Sequence, residues 1–157
     1  MEEKDVMKTG TTTVGLISKE GIVLAADKRA TAGNFIAGKS FDKIYKIDDF
    51  IAITIAGMVS DAQLLTKIIK AELKLKKVRT DVEVTVKEAA NLLASLSYSN
   101  IRKMSMVPGL VGFLVAGKDK TGFNLYAIDV AGGITKEEKF TADGSGSACE
   151  TWPAPNT

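Results

Sequence analysis

The chain has 157 residues, 45% of them apolar and 25% charged, enough for one domain with its own core. A net charge of +2, with Lys and Arg spread along the chain, gives no electrostatic case for nucleic acid, and no apolar run approaches the roughly 18 residues a membrane helix needs. The absence of histidine and the single Cys149 remove Ser-His-Asp and Cys-His triads, histidine metal sites, an internal disulfide and a cysteine zinc site.

Residues 1–10, MEEKDVMKTG, are polar, lack periodicity and read as a short leader. They are too acidic for a secretory signal, so a cytoplasmic protein is expected. TTTVGLIS (11–18) is rich in β-branched residues, Lys19-Glu20-Gly21 turns the chain, and IVLAADK (22–28) resumes an apolar strand, which together predict a hairpin. RATAGNFIAG is a looser stretch. FDKIYKI (41–47) alternates, placing Phe41, Lys43, Tyr45 and Ile47 on one face of a strand. Asp48-Asp49 turns into FIAITIAG (50–57), a strongly apolar strand.

Two helices are predicted next. Ser60-Asp-Ala-Gln63 has the capping-box spacing ahead of Leu64, Leu65, Ile68, Ile69, Leu73 and Leu75. Thr85-Val-Lys-Glu88 repeats it ahead of Ala89, Leu92, Leu93, Leu96 and Ile101. The basic cluster Lys74, Lys76, Lys77 and Arg79 falls at the end of the first helix, where cations suit the dipole. After Pro108, GLVGFLVAG (109–117), FNLYAID (123–129) and ITKEEKFTA (134–142) read as three strands. Strands, two helices, then strands is not a βαβ alternation; it predicts an α+β layered fold of largely antiparallel strands. SACETWPAPNT has no useful periodicity and reads as a tail.

Without histidine, a hydrolase of this sequence needs another base, and an N-terminal amine beside a hydroxyl nucleophile is one of the few arrangements left. Four features bear on chemistry, each with a plainer alternative. Lys43 shares a face with apolar residues, where desolvation lowers a lysine's pKa; on an edge strand it would simply be solvated. Asp27 ends the run IVLAA as a partner for a cation, or as the opening of a turn. Gly57 leaves a strand with an N–H that could bind an oxyanion, or serves a tight strand-to-helix turn. Gly144-Ser-Gly-Ser147 is punctuation or a weak phosphate-type loop, since it lacks the following Lys of a phosphate-binding motif.

Six motifs in order carry a resemblance: TTTVGL at 11–16, AADKRAT at 25–31, NFI at 34–36, DKIYKID at 42–48, TIAGMVSDAQ at 54–63 and GSGS at 144–147. Together they resemble the 20S proteasome β subunits of archaeal type. The resemblance implies an N-terminal-nucleophile hydrolase sandwich, α-β-β-α, over residues 11–147, preceded by a propeptide at 1–10 and followed by a divergent tail at 148–157. Thr11 then matches the catalytic threonine, exposed by self-cleavage of the Gly10–Thr11 bond. Asp27 and Lys43 match the acid and the lysine beside it, Gly57 the oxyanion-hole glycine, and Ser145 a serine near the threonine amine. Ala30, Thr31, Tyr45, Ile55 and Val59 match positions lining the pocket for a substrate side chain, and the apolar or aromatic character of Ala30, Tyr45, Ile55 and Val59 implies cleavage after hydrophobic residues. The resemblance implies no cofactor and no metal. Its implied partners are a heptameric ring of β subunits, α-subunit rings, a regulatory ATPase and unfolded polypeptide substrates.

The resemblance also implies helices, strands, an aspartate and a serine beyond GSGS that SACETWPAPNT does not resemble. The tail therefore reads as a truncation, a frameshift or an alternative end, which predicts an apolar sheet face left exposed. Two other readings stand beside a threonine endopeptidase. One is an inactive, structural or fragmentary subunit of the same ring. The other is the bacterial two-ring relative, to which TTTVGL and the Lys43 region are less similar.

Overall fold

The computed structural model describes residues 11–32, 35–38, 40–104 and 109–144. In chain order the elements are β1 (Thr12–Ile17), β2 (Ile22–Ala26), β3 (Ala30–Ala32), β4 (Phe35–Gly38), β5 (Ile44–Asp48), β6 (Ile51–Gly57), α1 (Val59–Thr80), α2 (Val86–Ile101), β7 (Val111–Asp119), β8 (Gly122–Ile128), β9 (Ile134–Glu137) and β10 (Phe140–Gly144). They build a three-stranded sheet in the order β10-β1-β2, a β3-β4 ribbon and a five-stranded sheet in the order β5-β6-β7-β8-β9. Every pairing is antiparallel. This is the α+β sandwich that the chain order predicts.

The five-stranded sheet is the middle layer. Its central strands IAITIAG and VGFLVAG are apolar on both faces, as strands covered from both sides must be. One face presents Ile51, Ile53, Ile55, Val111, Phe113, Val115, Tyr126 and Ile128 to the helices. The helices answer with Leu65, Ile69 and Leu73 from α1 and Val86, Ala89, Ala90 and Leu93 from α2, each at helical spacing. Full burial of a side chain such as Ile69 or Leu93 contributes about 1.5–3 kcal/mol. The opposite face packs on the three-stranded sheet: β1 touches β6, β7 and β8.

The second helix begins as its sequence predicts. Thr85 accepts from the Glu88 N–H at 3.2 Å while the Glu88 carboxylate accepts from the Thr85 N–H at 2.9 Å. The first does not. α1 starts at Val59, its N-cap is Met58, and no side-chain cap is made, so the predicted Ser60 capping box is not formed. The Met58 N–H donates instead to the Leu110 carbonyl at 3.0 Å, and the first ordinary helical bond runs from the Ala62 N–H to the Met58 carbonyl, also at 3.0 Å. The basic residues Lys77 and Arg79 do occupy the last turn, and Lys77 also reaches Asp48, Asp49 and Glu83.

Two further expectations need correction. The loose stretch RATAGNFIAG contains the β3-β4 ribbon. The single strand expected at 134–142 is two: β9 pairs with β8, and β10 crosses to β1 in the other sheet. The charged run Lys136-Glu137-Glu138-Lys139 lies between the β-branched and aromatic ends, and the chain changes layers there.

Among the described residues, the outer face of the three-stranded sheet is open. Across it, Val23 pairs with Leu16 and Leu16 with Phe140, and these are 58%, 49% and 53% exposed. A contiguous apolar row of this kind binds hydrophobic probes. The double variant Val23→Thr/Phe140→Thr should bind less of a hydrophobic fluorescent dye and aggregate more slowly than the parent, with the same far-ultraviolet circular dichroism.

Candidate active site

Thr11 stands at the head of β1 and is 7% exposed. Lys43, immediately before β5, is 5% exposed. β5 is an edge strand, yet Lys43 is not solvated, because its face is the core face: Ile47 is buried and Phe41 and Tyr45 pack against the core, while Ile44 and Lys46 point outward.

A buried ammonium needs acceptors for its three protons. Lys43 Nζ donates to Asp27 Oδ1 at 2.8 Å, to the Arg29 carbonyl at 2.6 Å and to Thr11 Oγ1 at 3.3 Å.

Asp27 joins the two strands that meet here. Its Oδ1 also accepts from the Thr12 N–H at 2.9 Å, and its own N–H donates to the Thr12 carbonyl at 3.1 Å. Its Oδ2 accepts from the Arg29 N–H at 3.2 Å, the side-chain-to-backbone bond of an Asx turn. Both readings of Asp27 therefore hold: it opens a turn, and the turn delivers the Arg29 carbonyl to Lys43. Burial pushes the Asp27 carboxyl up, but the Lys43 hydrogen bond, the Thr12 N–H, the Lys43 charge and the Arg29 N–H together hold it below the usual carboxylate range.

Gly57 ends β6 at φ 126°, and a Cβ there would strike the Leu110 carbonyl. Only glycine turns the chain this way into α1. The Ile55 N–H donates to the Lys43 carbonyl at 2.9 Å. By strand alternation the Gly57 N–H points to the same edge, past the first residue of β5. Gly144, at φ 101°, lies against the Thr11 carbonyl, where a side chain would collide.

Of the other predicted residues, Tyr45 is half-buried and Lys70 Nζ lies 5.9 Å from its ring centroid. Ile55 sits beside Lys43 in the sheet and is 3% exposed within the core. Val59 opens α1, and Ala30 and Thr31 belong to β3. Gly10 and Ser145 lie outside the described residues. Sequence reasoning missed the Arg29 carbonyl and the Thr12 N–H, main-chain atoms that leave no mark in residue type. It also missed Gly144 as the contact of the Thr11 carbonyl. Among the described residues, no group of three or more Asp, Glu, Cys or His side chains could hold a metal, and no helix is long and apolar enough to cross a membrane.

Comparison with known proteins agrees with the geometry. Residues 7–151 match the family model described as proteasome subunit. The chain is 49% identical over 143 residues to a protein of Ferroglobus placidus named proteasome subunit beta, covering 91% of this chain and 66% of that one. It is 49% identical over 145 residues to the Methanococcus maripaludis strain C5 protein of the same name, covering 92% and 64%. For the Archaeoglobus profundus protein, also named proteasome subunit beta, the figures are 46% over 146 residues, 93% and 66%. The chain thus spans just under two thirds of the length of these relatives.

Lys43→Met would leave Asp27, the Arg29 carbonyl and Thr11 Oγ1 without their shared donor. It should cost about 1–3 kcal/mol in urea unfolding at pH 7, below the full figure for a buried pair because Asp27 is 34% exposed. Asp27 titrates lower folded than unfolded, so the pair's contribution is complete above the unfolded carboxylate value of about 3.9 and fades as pH falls through the lower folded value. The gap between parent and variant should stay level from neutral pH to about 5 and close in stronger acid.

Proposed function

The chain belongs to the proteasome subunit family, and we propose that it is a threonine endopeptidase subunit of the proteasome core, with Thr11 as nucleophile after autocatalytic cleavage of the Gly10–Thr11 bond. The observation that carries this reading is the buried Lys43 ammonium, held at once on Thr11 Oγ1, Asp27 and the Arg29 carbonyl. No histidine is available for the base, and the arrangement needs none.

In this reading Thr11 Oγ attacks the carbonyl carbon of the scissile peptide bond. Its proton passes to the Thr11 α-amine, directly or through water; such an amine has an ordinary pKa of about 7.7–8.0, close to neutrality. Lys43 keeps the potential at Oγ positive and favours the alkoxide, and Asp27 orients Lys43 through their 2.8 Å contact. The Gly57 N–H receives the oxyanion. Collapse expels the leaving amine, which takes the proton, and an ester on Thr11 remains. Water hydrolyses the ester and restores the hydroxyl. Ser145 supports the amine.

Processing uses the same atoms. While Thr11 is internal, its hydroxyl attacks the Gly10 carbonyl, an N→O shift gives an ester, and hydrolysis frees residues 1–10 and the amine. Ala30, Thr31, Tyr45, Ile55 and Val59 line the pocket for the residue before the scissile bond, which favours hydrophobic side chains. The site works within a heptameric β ring stacked on α rings in the cytoplasm, where a regulatory ATPase delivers unfolded polypeptides.

Intact-mass measurement of the full chain, alone and with α subunits, tests this. A new N-terminus at Thr11 should appear in the parent and be absent in Thr11→Ala; a leader that persists under assembly conditions overturns the reading. Gly57→Ala keeps the N–H, but its methyl strikes the Leu110 carbonyl and shifts that N–H, so hydrolysis after hydrophobic residues should fall, by up to the roughly 10²–10³-fold that loss of an oxyanion donor costs.

A further inference from the structure

Beside the site lies a buried carboxyl that the reaction above does not use. Asp143 sits on β10 opposite Thr13 of β1. Thr13 is fully buried, and its hydroxyl donates to the Asp143 carbonyl at 3.4 Å. Asp143 Oδ1 accepts from the Gly144 N–H at 2.8 Å. Oδ2 is buried and has no hydrogen-bond partner among the described residues. It rests on Gly112 of β7, where any Cβ would collide with it. Gly112 pairs with Ala56, and the neighbouring Val111 pairs with Gly57.

Asp143 thus touches both halves of the site without touching a reacting atom. On one side its Oδ1 holds the N–H of Gly144, which lies against the Thr11 carbonyl. On the other its Oδ2 occupies space that only glycine leaves open in the ladder ending at Gly57. We propose that Asp143 is a positioning residue for the Thr11 reaction: seated on Gly112, it sets the spacing between the strands that carry Thr11 and the strands that carry Gly57. The inference rests on the threonine reading above.

Burial pushes the Asp143 carboxyl up; the Gly144 N–H opposes this, and the negative charge of Asp129 adds to it. Thr13 faces it from β1, Gly112 from β7 and Asp129 from the end of β8, so none of these neighbours offers a cation. The neutral form is the one the seat favours, and asparagine imitates its shape. Ionisation would place an unpartnered anionic oxygen between the sheets.

The test measures cleavage at Gly10–Thr11 by intact mass, and kcat and KM for a peptide cut after a hydrophobic residue, in the full chain assembled with α subunits. Asp143→Asn should retain most of the activity, and its rate relative to the parent should rise with pH as the parent's carboxyl ionises. Asp143→Ala should lower kcat about 10- to 100-fold with little change in KM. Gly112→Ala should do the same by displacing the carboxyl. The double variant Gly112→Ala/Asp143→Ala should recover activity over Gly112→Ala alone, since the added methyl then fills vacated space. An active parent with Asp143→Ala at full kcat, or with losses that simply add, overturns the positioning role alone. A parent never cleaved at Gly10–Thr11 overturns the threonine reading, and this role with it.

Discussion

The rest of the structure is arranged around a cation removed from water. Lys43 can stay charged in the interior only if every proton finds an acceptor, and the three acceptors come from the head of β1, the end of β2 and the connection that follows it. That requirement fixes the local architecture. The chain must turn after β2 to bring the Arg29 carbonyl inward, and Asp27 makes that turn with its other oxygen. The edge strand β5 must enter with Lys43 on its core face. β1 must begin just after Thr11, with the Thr11 hydroxyl close enough for a 3.3 Å contact. Removing the ammonium would leave two strands and a turn without the group that reconciles them.

Much of this was legible in the residues, and the parts that were not share a cause. Strand alternation placed Lys43 on the face of Phe41, Tyr45 and Ile47, because a two-residue period is enforced by the pleat. The Thr85 and Glu88 pair announced a helix start because both halves of that cap are side chains. The start of α1 left no such mark: the Leu110 carbonyl holds the N–H of its N-cap residue, and a carbonyl is the same in every residue. The Arg29 carbonyl escaped notice for the same reason. The division of residues 134–142 between two sheets was hidden because local pattern records strand character, not which sheet a strand joins. Asp143 was invisible too, since an aspartate beside a glycine reads as turn chemistry until its partner strand is known.

The layers explain how a partial sandwich holds together. The five-stranded sheet is covered on one face by two helices and on the other by β10-β1-β2, so the densest apolar strands, β6 and β7, lie at the centre. Among the described residues, the thin sheet carrying Thr11 receives cover on one face only, and Val23, Leu16 and Phe140 are exposed. The site lies at the end of the two facing sheets and draws its residues from both. Its geometry is therefore a property of how the sheets stack, and substitutions between them can reach it without touching it.

The pairing of β1 has a temporal meaning as well. Its partner on one side, β2, follows a short turn, but its partner on the other, β10, lies 130 residues later at the Thr13–Asp143 pair. Contacts so distant along a chain close late, because the intervening polymer must first be ordered. On a ribosome, Thr11 is made long before residues 140–144 and waits for them before its strand is flanked on both sides. The arrangement acts as a clock: the Thr11 hydroxyl gains these surroundings only after the whole stretch between the two strands has been synthesised.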